Sequence, residues 1–233
     1  MEAQISRNSM LPRLAIDDGT LEGMKWLAVI LMTIDHMGKH LFNDTVAWMF
    51  YVGRLTMPLF GFVLAFNLAR HDAFAQGVHG RVIKRLAIYG TLATVPFIAL
   101  GGLGFGWWPL NIMAMLLLST AIIYFLDKPN GPQIGIAVLL FIFGSCFVEF
   151  WHPAVGMVVA AWYYCKRPGW LSLTCWATFV ALLWLINRNA WAMASFAIIL
   201  AAPFVHLRMP RMRAFFYAYY PLHLAALWAV VHL

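Results

Sequence analysis

The chain has 233 residues, 63% of them hydrophobic and 11% charged, with a formal net charge of +7. A soluble domain carries about 25% charged residues, and a chain this short keeps too much surface to hide so many apolar side chains, so a soluble globular fold is excluded. In such an apolar chain an excess of Lys and Arg reports membrane orientation, so the charge does not point to nucleic acid as a partner.

A bilayer core about 30 Å thick takes roughly 20 apolar residues per helix. Residues 1–23 mix charges of both signs without an apolar core, which predicts a short cytoplasmic tail and not a cleavable signal peptide. Apolar runs follow at 24–42, 47–69, 86–104, 108–126, 133–150, 152–165, 171–187, 190–207 and 214–232. They predict an all-α, polytopic transmembrane bundle of about nine helices, forming one integral-membrane domain over 24–233. The stretch 133–165 divides less clearly, so eight and ten helices stay open. Turn chemistry separates the runs at Lys128-Pro129-Asn130-Gly131-Pro132, Arg167-Pro168-Gly169 and Met209-Pro210. Trp107 and Trp108 read as an interfacial anchor. Cys146, Cys165 and Cys175 have no paired spacing and read as structural thiols.

The cations alternate with the runs. Arg7, Arg13 and Lys25 precede the first helix; Arg70, Arg81, Lys84 and Arg85 follow the second; Lys128 follows the fourth. Lys166 and Arg167 follow the sixth, and Arg208, Arg211 and Arg213 the eighth. Thirteen of the 16 cations thus fall on one side, leaving Lys39, Arg54 and Arg188 on the other. The positive-inside rule then places the N-terminus in the cytoplasm and the C-terminus outside.

Ionisable groups inside a spanning helix are costly, so each is a functional candidate. The first helix carries Asp35 and His36, with His36 roughly 17 Å along the helix from Lys25. Asp35 and Lys39 are spaced to pair on one face, and His40 shares a face with His36. Arg54 enters from the outer side, roughly 9 Å in, and reaches the depth of His36. Asn67, Asn111 and His223 add polar groups within or beside apolar runs. Each also has a plainer reading: Arg54 snorkelling or pairing with Asp35, His223 bonding a neighbouring helix, Glu149 solvated at an outer end. His36 and His40 have metal-ligand spacing, but no third ligand converges, so no metal is expected. A neutral imidazole beside a carboxylate suits a general base, and a nearby arginine suits an oxyanion or phosphate. Those parts fit acyl transfer from a thioester, and equally a proton-coupled carrier.

Particular stretches carry a family resemblance. Leu27-Ala28-Val29-Ile30-Leu31-Met32-Thr33-Ile34-Asp35-His36 resembles the opening helix of the TraX family, inner-membrane acetylases of conjugative F-type pilin. The resemblance continues through Trp48-Met49-Phe50-Tyr51-Val52-Gly53-Arg54, Met57-Pro58-Leu59-Phe60 and Asn67-Leu68-Ala69-Arg70-His71. Asn111-Ile112-Met113 and Tyr217-Ala218-Tyr219-Tyr220-Pro221-Leu222-His223-Leu224 are similar to later family steps, while 115–210 matches chiefly in hydrophobic pattern. The resemblance implies a multi-pass protein of the bacterial inner membrane that acetylates the α-amino group of pilin, with acetyl-CoA as donor and no nucleic acid or metal.

On that reading His36 is the base, Asp35 orients it or holds the incoming ammonium, and Arg54 stabilises the oxyanion. An acetyl-imidazole on His36 is the alternative course. Arg54, Asn67 and Asn111 are expected to hold acetyl-CoA, with Arg81, Lys84 and Arg85 drawing in its phosphates; Asn111 and His223 are expected to face the acceptor. The alternatives are a transmembrane acyltransferase for an envelope-glycan hydroxyl, a non-catalytic pilin chaperone, and a proton-coupled carrier.

Overall fold

The structure, a computed structural model, describes residue 11 and residues 13–232. Arg7, with residues 1–10 and 12 of the expected N-terminal tail, lies outside the described residues, as does the side chain of Arg213. In lipid every backbone amide needs a partner inside its own segment, and among the described residues the chain answers with helices and no β-strand. There are nine: α1 Asp18–Leu41, α2 Ala47–Leu68, α3 Val78–Ala99, α4 Ile112–Asp127, α5 Gly131–Phe147, α6 Trp151–Lys166, α7 Trp170–Asn187, α8 Trp191–Phe204 and α9 Arg213–His232.

The number agrees with the nine expected helices, and the ambiguous stretch resolves into α5 and α6. Several boundaries differ. The first helix begins at Asp18, six residues before the expected 24 and within the expected tail, with the Asp18 carboxylate in its first turn, and the third ends at Ala99, short of the expected 104. The third helix begins at Val78, well before the apolar run, because Gly77 in the left-handed region (φ 64°) starts it among charged residues. The fourth begins at Ile112 because the Asn111 side chain caps it, accepting from the Met113 and Ala114 amides. Asn130 caps α5 likewise, accepting from Gln133. Four helices are long and apolar enough to cross a membrane: α2, α3, α7 and Ala214–His232 within α9. Large apolar side chains such as Leu92, Val95, Phe143, Leu171 and Val230 stand on the outer surface, where a bilayer would be their solvent.

α6 is the most enclosed helix, packed against α7, α2 and α4. With α1 it builds the larger apolar cluster, around Phe62, Met115, Met157 and Trp176. A smaller cluster joins α3, α4 and α9 to α1 through Leu86, Ala93, Met113 and Leu224. Between the two lies a cavity lined from α1, α2, α3, α4, α7 and α9.

Charged contacts gather helix ends on one side. Asp18 at the start of α1 pairs with Arg70 after α2 and with Arg211 before α9. Asp127 at the end of α4 pairs with Lys166 at the end of α6 and lies 3.5 Å from His79 at the start of α3. The segment after α8 crosses α1, where Thr20 Oγ1 donates to the Val205 carbonyl (2.5 Å). Only glycine fits beneath it at position 19, since a Cβ there would lie 1.8 Å from the Leu207 carbonyl oxygen.

Candidate functional site

α2 is interrupted at Arg54 and Leu55. Pro58 has no N–H, so the Arg54 carbonyl lacks its helical donor, and the chain bends there. Just before the bend, α2 passes so close to α1 that a Cβ on Gly53 would lie 2.4 Å from the Asp35 side chain. That approach lets the Arg54 Nη2 donate to both Asp35 carboxylate oxygens, each at 2.7 Å. Nε donates to the Phe50 carbonyl (3.2 Å), Nη1 to Asn187 Oδ1 of α7 (3.3 Å), and the guanidinium lies over the Phe50 ring, 4.2 Å from its centroid. Of the five guanidinium N–H groups, one on Nη1 remains unspent. The ion-pair partner of Asp35 is therefore Arg54, not Lys39, and its carboxylate does not orient His36.

His36 is held from α9 instead. Its Nδ1 lies 2.6 Å from Nε2 of His223, with the rings stacked at 6°. His223 Nδ1 lies 3.2 Å from the Tyr219 carbonyl. A carbonyl only accepts, so His223 Nδ1 bears the hydrogen, and neutral His223 presents Nε2 as an acceptor. His36 Nδ1 must then be the donor, which leaves the His36 Nε2 lone pair unprotonated. Among the described residues this Nε2 has no hydrogen-bond partner. Tyr219 completes the seam, stacked on His223 and 2.7 Å by its hydroxyl from Thr33 Oγ1 of α1.

The cavity holds about 550 Å³, within the range of small-molecule and cofactor sites. At one end are Asp35, His36, Arg54, Glu149, Asn187 and Tyr220; the middle is apolar, with Met57, Phe60, Val63 and Leu64. At the other end stand Lys25, Arg70, Arg81, Arg85 and Arg211, against the carboxylates of Asp18, Glu22 and Asp72. Lys25 pairs with Glu22, and Arg70 and Arg211 pair with Asp18. Arg81 donates to the Gln76 carbonyl and Arg85 lies over the Tyr217 ring, so these two have no carboxylate partner among the described residues. The basic mouth at Lys25 and the histidine end at His36 lie about 17 Å apart along α1, from the 1.5 Å rise per residue.

The cavity thus brings together Asp35, His36, Arg54, Asn67, Arg81 and Arg85. Asn67 donates to the Val63 carbonyl from the cavity wall (2.8 Å). His223 stands behind His36. Lys84 is exposed and outside the lining. Asn111 also leaves the expected set: both ends of its buried amide are spent, Oδ1 on the cap of α4 and Nδ2 on the Gly90 carbonyl and Thr94 hydroxyl, each at 3.0 Å. It clamps α3 to α4 and does not face the cavity. Sequence reasoning passed over Asn187, a lone amide ending an apolar run, and Tyr219, one helical turn before His223. It also read Glu149 as solvated, whereas Glu149 is half-buried in the cavity wall.

These features define an all-helical membrane-type protein with a histidine–arginine site at the end of the cavity opposite its basic mouth. The sequence pattern of the TraX protein family matches residues 20–231, and the chain belongs to that family. It is 28% identical over 138 residues to Protein TraX of Escherichia coli, covering 59% of this chain and 50% of that one. It is 27% identical over 138 residues to Protein TraX of Escherichia coli strain K12, with the same coverage. The match spans about half the length of these curated relatives. No solved structure matches.

Proposed function

We infer that this protein transfers the acetyl group of acetyl-CoA to the α-amino group of a conjugative pilin subunit in the bacterial inner membrane. The observation that carries the reading is the cavity itself, which joins a basic mouth to an imidazole whose tautomer leaves Nε2 as a base. The N-terminus lies in the cytoplasm and the C-terminus outside. In support, cation-bearing ends of α1, α2 and α9 are tied together by Asp18, and those of α4 and α6 by Asp127.

In this mechanism the CoA phosphates rest at the cytoplasmic mouth against Arg81 and Arg85, the cations of the mouth that have no carboxylate partner among the described residues. The pantetheine arm follows the apolar wall past Leu64 and Phe60 and brings the thioester to His36. The acceptor amine attacks the thioester carbonyl carbon while His36 Nε2 takes its proton. The unspent N–H of Arg54 faces the developing oxyanion, and Asp35, Asn187 and Phe50 hold the guanidinium still so that nothing reorganises as charge appears. The C–S bond then breaks, and the His36 imidazolium returns its proton to the leaving thiolate. His223 does not exchange protons; it holds His36 in the working tautomer.

The test is the intact mass of pilin co-expressed with the wild type and with His36→Ala. One added acetyl group at the pilin N-terminus with the wild type alone is expected. Unmodified pilin in both strains would refute pilin as acceptor, and acetylated pilin in both would refute His36 as base.

A further inference from the structure

A second, smaller cavity of about 40 Å³ lies on the other side of His36, lined by Lys39, His40, Phe97, Leu100 and Leu224 among others. His36, Glu149 and Tyr220 line both cavities, so they form the partition between them. α1 leads from the basic mouth at Lys25 past His36 to Lys39 and His40, so the small cavity opens on the side opposite the mouth.

Glu149 reaches this partition through an unusual chain path. Leu110 N–H donates to the Phe147 carbonyl (2.7 Å) and Glu149 N–H to the Leu110 carbonyl (2.9 Å), pinning the α5–α6 link to the loop before α4. Phe150 (φ 60°) and Trp151 (φ 48°) then follow in the left-handed region, which costs non-glycine residues energy. The pinned link turns the Glu149 side chain into the bundle. Its charged and titratable neighbours are Asp35, His36, Lys39 and His40 of α1, Arg54 of α2 and Tyr220 of α9, with the Ile112 amide at the start of α4. Asp35 is committed to Arg54, whereas Glu149 forms no ion pair among the described residues.

We propose that Glu149 is the acceptor-binding carboxylate: a primary ammonium, entering through the small cavity, docks on it beside His36. The assignment rests on the acetyl-transfer reading and narrows its acceptor to an amine. Proton balance gives the reason. A primary amine arrives as R–NH3⁺ and must lose one proton before its lone pair can attack. The Glu149 carboxylate receives that proton. The freed nitrogen forms the C–N bond, its second proton passes to His36 Nε2, the C–S bond breaks, and His36 hands that proton to the thiolate. The products are the amide, the CoA thiol and a protonated Glu149, which discharges to outside water through the small cavity. A hydroxyl acceptor loses one proton in all, and His36 alone would serve it.

The test uses the full chain in proteoliposomes, with acetyl-CoA and a short peptide bearing a free α-amino group as probe. Glu149→Gln is expected to acetylate the peptide at least about tenfold more slowly near neutral pH, and to approach the wild-type rate as pH rises past the amine pKa of about 8. Glu149→Asp should recover part of the neutral-pH rate. Acetyl-CoA binding, measured in parallel, checks that each variant is folded. A wild-type pH profile in Glu149→Gln, or a loss equal at every pH in a variant that still binds acetyl-CoA, overturns the assignment while acetyl transfer stands. Transfer by the wild type to a sugar hydroxyl but not to the peptide amine does the same. A wild type that neither binds acetyl-CoA nor transfers its acetyl group overturns both readings.

Discussion

His223→Phe isolates the tautomer argument. Phenylalanine keeps a ring to stack on Tyr219, where the native ring centroids are 5.2 Å apart, and removes the acceptor of the 2.6 Å contact with His36 together with the Nδ1–H that His223 gives the Tyr219 carbonyl one turn back on its own helix. A neutral hydrogen bond of this kind is worth about 0.5–1.5 kcal/mol net. Converted at about 1.4 kcal/mol per tenfold, losing it lowers the bias toward the tautomer with a free Nε2 by about 2- to 12-fold. The turnover rate should fall by no more than that factor, with the KM for acetyl-CoA unchanged because His223 does not line the large cavity. His223→Gln supplies an amide oxygen that accepts from Nδ1 and should restore the rate to within about twofold. The assay is single-turnover transfer from labelled acetyl-CoA to pilin, with imidazole nitrogen NMR reporting the His36 tautomer directly. Equal losses in the Gln and Phe variants would refute the positioning argument. So would a loss in His223→Phe of about a thousandfold or more, the size expected of a group that carries the proton itself.

Other perturbations test the surrounding structure. Gly53→Ala places a Cβ 2.4 Å from the Asp35 side chain, so α1 and α2 must separate; a destabilisation of about 1–3 kcal/mol is expected in detergent melts, together with lost transfer. Arg54→Lys retains one charge for Asp35 but loses the Phe50 and Asn187 bonds, so transfer should fail while membrane insertion, read by fractionation, is unchanged. Asp127→Ala leaves Lys166 and the buried His79 without their carboxylate; it should cost about 3–5 kcal/mol in thermal unfolding yet spare transfer at low temperature, because Asp127 is outside the cavity. At the mouth, the Arg70 hydrogen bond and the Arg70 and Arg211 charges hold the Asp18 carboxyl below its ordinary pKa despite partial desolvation. A depressed carboxyl stabilises the fold above its unfolded pKa and loses that contribution as pH falls through the folded one. Acidification should therefore loosen residues 205–212 in hydrogen exchange, and Asp18→Asn should flatten that dependence.

Nine apolar runs, their turn punctuation and the one-sided cations were legible in the sequence, because hydropathy along a single segment needs no knowledge of its neighbours. The same local logic singled out Asp35, His36 and Arg54, since an ionisable side chain in an apolar run stands out wherever its partners lie. It failed where the deciding contact came from another helix. Asp35 has Lys39 one turn away on its own helix, yet the close passage over Gly53 delivers Arg54 with better geometry. Asn111 reads as an intramembrane polar group and is in fact a cap and clamp, which depends on where the Gly90 carbonyl lies. Glu149 sits at the end of an apolar run like a solvated residue, and only the pinned link to Leu110 turns it inward.

The sequence by itself thus determined the membrane-type helical class and singled out His36, the histidine that lines the cavity, both from one segment against one solvent. The tertiary structure decided which atoms meet: the His36–His223 tautomer, the Arg54 guanidinium held by Asp35, Asn187 and Phe50, and the partition between two cavities. Those depend on the rotation and depth of α1, α2, α7 and α9 relative to one another, set by side-chain packing across helices far apart in the chain.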